Sequence, residues 1–414
     1  MIDFKAFSGR GAPPEDAAPI SWAPWLTARR LTFFVIAWLS VFAVGSLLIS
    51  NPFQAETAAG VTPDYFHVMY MHGLLIGMVG LLALLTLAVM KVRSLHVRMW
   101  IVGGVAVATV LAAVGGVFDT KIPGAEVPMW TQILSFFALD EILIALAWGL
   151  FSEWRRGMPN TRTLSYATAV IASVSMLFSA AMGHLAGWIM EFGEYPAFIT
   201  SFRQSAGFDS QDGFVGALVG SHSHEMAVAA MGLTALIAIQ FLGYSTVTGA
   251  AKLFARIGVA MIGAGILVVS VIYIAGTVSQ YAPPSVFDGR IPGDDVVSGV
   301  LVMGGGIVAL LAVVNLRTLL QRPVSLATAW AFVLSVATVA AAGYSVELHE
   351  SFFGAGDQTA AGAGNDAIFT WFHQDVGLFL LPTIVLVMLA VQLLIGRKDS
   401  GWIGWAAAAG TTFV

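Results

Sequence analysis

The run YFHVMYMHGLLIGMVGLLALLTLAVM, from Tyr65 to Met90, contains no aspartate, glutamate, lysine or arginine. A stretch of about 20 apolar residues is long enough for a helix to cross the hydrocarbon core of a bilayer. The run is continuously apolar and does not alternate, which argues against a strand of a membrane β-barrel. It therefore predicts a transmembrane helix that carries two histidines, His67 and His72, near its start.

The rest of the chain repeats this pattern. Of its 414 residues, 58% are hydrophobic and 10% are charged, and the mean hydropathy is +0.84. A soluble domain carries about 25% charged residues, so a water-soluble enzyme is excluded. We predict an all-α, polytopic membrane helical bundle over residues 29–398, between a cytoplasmic segment at 1–28 and a short interfacial tail at 399–414. Its ten predicted spans are 30–50, 65–90, 98–118, 128–153, 163–190, 213–243, 252–280, 296–316, 324–346 and 367–396.

Basic residues indicate the direction of these spans, because cytoplasmic loops are enriched in lysine and arginine. If the ten spans alternate in direction, 16 of the 19 basic residues fall on the side that holds both termini. Only Lys121, Arg203 and Arg290 fall on the other side. We therefore expect both termini to be cytoplasmic. The connections on the outer side, of which 191–212 and 347–366 are the longest, are expected to be loops.

The composition also excludes several kinds of site. There are no cysteines, so the chain cannot form disulfides, thiolate-ligated zinc sites, Fe–S clusters or covalent haem attachments. The net charge is -5, and no basic stripe runs along the sequence, so nucleic-acid binding is not expected.

Seven of the eight histidines fall in the predicted outer half of the membrane, and His96 lies in a basic cytoplasmic loop. Polar groups inside the bilayer are costly and usually mark a functional pathway. Neutral imidazole is also the commonest metal ligand in proteins. A layer of imidazoles at one depth is therefore typical of a metal or haem centre. The seven are His67, His72, His184, His222, His224, His349 and His373.

The motif SHSHEMAVAAMG, from Ser221 to Gly232, is the sharpest signal. Residues two apart on a helix lie about 200° apart around its axis, so His222 and His224 are predicted to face opposite sides. One span can then serve two adjacent sites, or one site and a partner of its ligand. Glu225 follows directly, and we expect this buried carboxylate either to orient an imidazole N–H or to relay protons.

Two other spans place carboxylates within the membrane. Asp140 and Glu141, in FFALDEILIALAW, diverge by about 100° around a helix. Either they face a cavity and take up protons, or they hydrogen-bond a neighbouring helix. The tenth span carries His373 and Asp375 in WFHQDVGLFLLP. Glu225, Glu141 and Asp375 are therefore our candidate catalytic residues, as carriers of protons.

The second, sixth and tenth spans run in the same predicted direction and carry histidine near their outer ends. In this the sequence resembles subunit I of the haem–copper oxidase and nitric oxide reductase superfamily, whose metal-site histidines lie on the same three helices. The resemblance implies that His72 and His373 hold a low-spin haem from its two sides. It also implies that His222 or His224 binds a second metal. The HSHEM string is similar to a motif in the NnrS family of haem–copper membrane proteins.

The sequence departs from the superfamily at three points. It has ten predicted spans where the family has twelve, its seventh span lacks adjacent histidines, and Trp371 replaces the first histidine of a His-x-His pair. The low-spin haem is thus implied more directly than an oxygen-reducing haem–copper pair. We expect haem of the b type, with copper or non-haem iron as a possible further metal. The candidate ligands of that further metal are His184, His222, His224 and His349.

These residues predict a haem-binding oxidoreductase or electron-transfer subunit of the bacterial cytoplasmic membrane. Its expected partners are a periplasmic electron donor such as a cytochrome c, or quinol, together with other membrane subunits. The resemblance implies a respiratory activity of the oxygen or nitric oxide reductase type. Three alternatives stay open, namely a haem-free copper or iron enzyme, a proton-coupled transporter, and a structural subunit of a respiratory complex.

Overall fold

The computed structural model describes only part of the chain, and all regular elements in that part are helices. Seven of these helices are long and apolar enough to cross a membrane, and two shorter apolar helices cover Gly73–Val89 and Leu381–Gln392. This confirms the predicted all-helical architecture. The described residues are 30–31, 34–39, 65–121, 127–156, 163–282, 284, 293–353, 377–378, 380–395 and 401–412.

The chain forms two compact units, which helix Thr163–Phe192 (α4) links by contributing residues to both. The N-terminal unit covers Gly9–Gly157 and His184–Gly193. Besides the end of α4, its helices are α1 (Tyr65–Val89), α2 (Leu95–Lys121) and α3 (Val127–Arg155).

Glycines let the helices of the N-terminal unit approach closely, as is common in membrane bundles. A Cβ on Gly73 of α1 would lie 2.7 Å from the Cβ of Ala112 of α2. A Cβ on Gly104 of α2 would lie 2.7 Å from Cγ1 of Ile142 of α3. Replacing either glycine would therefore push two helices apart.

The C-terminal unit includes Met158–Gly183 and Glu194–Val414. Helix α4 runs antiparallel to its neighbour α6, since Ser175 bonds to Glu225 of α6 and Ser165 bonds to Gln240, just after the end of α6. Besides the start of α4, its helices are α5 (Phe198–Ser205), α6 (Gln211–Ile239), α7 (Gly249–Ser279), α8 (Gly293–Gly299), α9 (Gly305–Val313), α10 (Leu316–Leu320), α11 (Pro323–Phe353), α12 (Leu381–Ile395) and α13 (Gly401–Thr412).

Two π turns interrupt the long helices of this unit. One, at Gln240–Tyr244, ends α6 with Gly243 at φ 144°, a conformation that only glycine adopts without strain. The other, at Val300–Gly304, lies between α8 and α9, and the three segments form one continuous helix. The bend at Gly243 thus fixes where α6 stops and the connection to α7 begins.

The structure differs from the sequence prediction in the outer connections. Residues 191–212, predicted as a loop, contain α5, and Arg203 on this helix forms an ion pair with Glu194. Burial raises the pKa of Glu194, but hydrogen bonds from Arg203 and Thr200 and the charge of Arg203 outweigh it, so the pKa lies below its ordinary value. The prediction missed α5 because its eight residues are too few for a clear apolar period.

One other boundary also differs from expectation, and the tail adds a helix to the described structure. Helix α11 continues to Phe353, into a connection that was predicted to be irregular from residue 347. The tail forms α13, which packs on α11, and the indole N–H of Trp330 donates to Thr412 Oγ1 at 3.0 Å. Most of the predicted first span, 30–50, lies outside the described residues.

Candidate functional site

Five of the predicted site residues have described side chains, namely Glu141, His184, His222, His224 and Glu225. His72 and His349 lie on α1 and α11, but their side chains are outside the described part of the structure, as is that of His67. His373 and Asp375 lie outside the described residues altogether. The predicted pairing of His72 with His373 therefore stays a prediction.

The side chains of His184 and Asp140 are in close contact in the N-terminal unit. Nδ1 of His184 lies 3.1 Å from Oδ2 of Asp140. Phe136 and Phe137 pack around the imidazole, with ring centroids 5.3 Å and 5.8 Å away. The two aromatic rings and the carboxylate together fix the orientation of His184.

This contact determines which ring nitrogen of His184 is free to bind a ligand. A carboxylate oxygen only accepts hydrogen bonds, so Nδ1 carries the proton and donates it. In a neutral imidazole the lone pair then lies on Nε2. That atom is buried, and no hydrogen-bond partner for it exists among the described residues. A carboxylate that holds Nδ1–H while Nε2 faces a metal is a recurring arrangement in metalloproteins.

His222 is anchored differently, in the C-terminal unit. Its Nδ1 lies 2.9 Å from the backbone oxygen of Ser179 on α4, and Ser179 Oγ donates in return to the backbone oxygen of His222 at 2.7 Å. The imidazole also packs directly on Gly183, where a Cβ would lie 2.6 Å from Nδ1. Only glycine at position 183 leaves room for this ring.

His224 faces away from His222, as their two-residue spacing predicts. Its Nδ1 lies 3.1 Å from the backbone oxygen of Gly220, one turn earlier on α6. The ring stacks on Tyr273 of α7, with centroids 5.7 Å apart and planes inclined by 18°. His224 is exposed whereas His222 is half-buried.

The three candidate-site histidines with described side chains, His184, His222 and His224, thus share one property. In each, Nδ1 lies against an oxygen that accepts a hydrogen bond. The proton is held on Nδ1, and the lone pair of the neutral ring is on Nε2. This donor chemistry fits ligation of haem iron or copper. Within the described ranges, however, no group of three or more His, Asp or Glu side chains is placed to hold a metal ion.

Glu225 contacts hydroxyl groups. The side chain is completely buried in the C-terminal unit, and Oε1 accepts a hydrogen bond from Ser175 Oγ of α4 at 3.1 Å. Ser175 Oγ lies 2.6 Å from Ser270 Oγ of α7. We call Glu225, Ser175, Ser270 and Ser221, one turn earlier on α6, the serine–glutamate cluster.

The sequence analysis did not single out these serines, although a signal for them exists. Hydroxyl residues occur along one face of α4 at Ser165, Thr168, Ser175 and Ser179, a spacing that returns to the same side of a helix. Each makes a hydrogen bond with α6, with the π turn that follows α6, or with α7. The two adjacent carboxylates on α3 also have different surroundings. Asp140 contacts the imidazole of His184, whereas the next residue, Glu141, is half-buried.

Comparison of the chain with models of known protein families, with curated proteins and with solved structures finds no match.

Proposed function

We propose that this chain is a haem-binding oxidoreductase or electron-transfer subunit of the bacterial cytoplasmic membrane, with a histidine-ligated centre near the periplasmic face. The proposal includes ten spans with both termini in the cytoplasm. It also includes a periplasmic donor such as a cytochrome c, or quinol, as the electron-exchange partner.

The proposal is supported by the buried Nε2 of His184, which has no hydrogen-bond partner in the part of the chain that the structure describes. An unsatisfied nitrogen inside a membrane helix bundle is costly unless a ligand binds it. The same protonation state is supported at His222 and His224, whose Nδ1 atoms face backbone oxygens. Imidazoles whose orientation is already fixed in this way lose little conformational freedom when they bind a metal.

We assign the ligands as the sequence resemblance implies. His72 and His373 would hold the haem, and His184, His222, His224 and His349 are the candidates for copper or a further iron. A bound haem accepts and passes single electrons. Asp140 would keep His184 in the tautomer that has its lone pair on Nε2. Glu225, Glu141 and Asp375 are proposed to carry protons.

The proposal is tested by haem and metal analysis of the purified protein. Haem is extracted and quantified as its pyridine complex, and iron and copper are measured by elemental analysis. We expect haem in the wild type and its loss in His72→Ala and His373→Ala. His96→Ala is the matched control, because His96 is exposed at the start of α2, and it should retain the haem.

The other functions give different results in the same experiment. Iron or copper without porphyrin would identify a haem-free metal enzyme. Folded protein that contains neither haem nor metal would contradict the proposal and favour the transporter or the structural subunit.

A further inference from the structure

Two helices of the C-terminal unit bring basic residues to the end that the sequence predicts to face the cytoplasm. Lys252 and Arg256 lie one turn apart near the start of α7, and Arg317 lies on the short helix α10. Arg256 and Arg317 are exposed, and Lys252 is half-buried. We call these three residues the basic surface of the C-terminal unit.

The packing of α7 against α9 brings the parts of the basic surface to the same end of the unit. A Cβ on Gly258 of α7 would lie 2.6 Å from the Cβ of Ala309 of α9. The bend at Gly243, just before α7, lies beside the end of α9, since a Cβ there would be 3.6 Å from the backbone oxygen of Val313. Lys252 contacts the residue that follows this bend, and α10 follows α9 almost directly.

The cations of the basic surface keep N–H groups that can bind an anion. Nζ of Lys252 donates a hydrogen bond to the backbone oxygen of Tyr244 and lies 3.5 Å from the centre of the Tyr244 ring. An ammonium group has three N–H donors, so this contact does not use all of them. The side chains of Arg256 and Arg317 form no hydrogen bond or ion pair within the described part of the chain.

The helices that carry these charges contain no carboxylate to balance them. Neither residues 226–287, which include α7, nor residues 296–346, which include α10, contain an aspartate or a glutamate. Lys252 and Arg256 also repel each other, because like charges four residues apart on a helix are unfavourable. An anion from outside the chain would remove this imbalance.

The predicted cytoplasmic end of the N-terminal unit is different. Glu153 pairs there with Arg156 at 3.6 Å, and its Oε2 lies 3.5 Å from the backbone nitrogen of Arg93. Basic residues are enriched on the cytoplasmic side of membrane proteins in general, but α3 supplies a carboxylate among them whereas α7 and α10 supply none. The missing carboxylate distinguishes the basic surface from the basic residues of the N-terminal unit.

Exposed apolar side chains lie next to the basic residues. Leu253 and Phe254 follow Lys252 on α7, with exposed fractions of 58% and 54%. Leu316 and Leu320, one turn apart on α10, are 66% and 52% exposed. Cations beside apolar side chains match a molecule that joins an anionic headgroup to hydrocarbon chains. A small soluble anion would use only the charged part of this surface.

We infer that the basic surface of the C-terminal unit binds the headgroup phosphate of an anionic phospholipid. Basic pockets between membrane helices on the cytoplasmic side are suited to such headgroups. The guanidinium groups of Arg256 and Arg317 present forks of N–H donors that match phosphate oxygens, and Lys252 adds a point charge. A zwitterionic lipid would bring its own positive charge to the same place, which favours an anionic lipid.

Thermal unfolding of the full-length protein in a neutral detergent tests this inference. One sample receives dioleoyl phosphatidylglycerol, a second receives dioleoyl phosphatidylcholine, and a third receives inorganic phosphate, all at the same ionic strength. A ligand that binds only the folded state raises Tm as its concentration increases. We expect a saturable rise of several degrees with phosphatidylglycerol, and a much smaller change with phosphatidylcholine or inorganic phosphate.

Variants locate the site. The double variant Arg256→Gln/Arg317→Gln should lose the response to phosphatidylglycerol, and Lys252→Gln should weaken it. The matched control is Arg93→Gln/Arg155→Gln, which removes two exposed charges from the N-terminal unit and should keep the full response. Because both double variants lose the same charge, their general attraction to an anionic micelle is the same. The replaced arginines are all exposed, so both variants are expected to fold.

Three results would overturn the inference. Equal Tm values in phosphatidylglycerol and phosphatidylcholine would mean that the surface does not select an anionic headgroup. A rise in inorganic phosphate as large as that in phosphatidylglycerol would mean that it binds free phosphate. A response of Arg256→Gln/Arg317→Gln equal to that of the control would place the lipid elsewhere. None of these results depends on haem content, so the inference and the proposed function are tested separately.

Discussion

The two units use carboxylates and imidazoles in different combinations. In the N-terminal unit, Asp140 binds His184 directly through Nδ1. In the C-terminal unit, Glu225 binds hydroxyls, and backbone oxygens hold Nδ1 of His222 and His224. The comparison separates two arrangements, because one carboxylate orients an imidazole and the other lies among hydroxyl groups.

The difference also determines whether a substitution can remove the group that holds each imidazole. The anchor of His184 is a side chain, which a substitution removes. The anchors of His222 and His224 are backbone atoms, which remain when the side chain at that position changes. Side-chain variants therefore distinguish an imidazole oriented by a carboxylate from one oriented by the backbone.

The largest effect is expected for Asp140→Ala. It removes the acceptor of His184 Nδ1–H, and loss of such a partner typically weakens metal binding by about 10- to 100-fold. Chelator competition followed by elemental analysis measures the iron or copper that is retained. Asp140→Asn, which keeps an acceptor oxygen, should lie between the wild type and Asp140→Ala.

Glu153→Gln is the control for this series, since Glu153 lies on the same helix and pairs with Arg156 instead of an imidazole. It should retain as much metal as the wild type. Equal retention in Asp140→Ala would mean that the carboxylate does not support ligation by His184.

The second effect concerns the room that Gly183 leaves for His222. A Cβ at 183 would overlap the imidazole, and overpacking of a buried site costs about 1–3 kcal/mol. We expect Gly183→Ala to lower Tm. Gly187→Ala is the control on the same helix, because its Cβ would meet no described atom within 4 Å, and alanine there favours the helix by up to about 1 kcal/mol. Equal Tm values for the two variants would contradict the described packing of His222.

A smaller effect is expected for Ser179→Ala. The substitution deletes the hydrogen bond from Ser179 Oγ to the backbone of His222, which is worth about 1 kcal/mol. It leaves the backbone oxygen that holds Nδ1 in place. We therefore expect a slightly lower Tm with unchanged retention of iron or copper. A loss of metal as large as that in Asp140→Ala would remove the distinction between the two anchors.

The smallest effect is the pH dependence of the Glu194–Arg203 ion pair. The pKa of Glu194 is lowered in the folded state, so its contribution is present above the pKa of the unfolded chain and is lost as the pH falls through the folded value. Arg203→Met should lower Tm slightly at neutral pH, with the difference from wild type vanishing in acid. A difference that is equal at all pH values would mean that the ion pair does not contribute.

The sequence predicted most of the helical architecture because long apolar runs determine where spans form. The predicted span 65–90 corresponds to α1 at Tyr65–Val89, and the predicted span 163–190 to α4 at Thr163–Phe192. Helix α5 was missed because eight residues give too little pattern. The opposite faces of His222 and His224 followed from helix geometry alone.

Contacts between side chains of different helices could not be predicted in the same way. Periodicity places Asp140 and Glu141 on different sides of α3, but it does not say which of them meets an imidazole. Contact between Glu225 and Ser175 depends on the rotation of α6 against α4, which close packing sets. The hydroxyl residues along one face of α4 indicated that this face is polar. They did not indicate that the carboxylate of Glu225 lies against it.

The central claim is that imidazoles anchored through Nδ1 belong to a protein that binds haem iron. The most direct test is the reduced-minus-oxidised optical spectrum of the purified, folded protein. The account predicts the absorption bands of a low-spin b-type haem, retained in His96→Ala and lost in His72→Ala. A spectrum without any haem band, from protein that melts cooperatively, would contradict it.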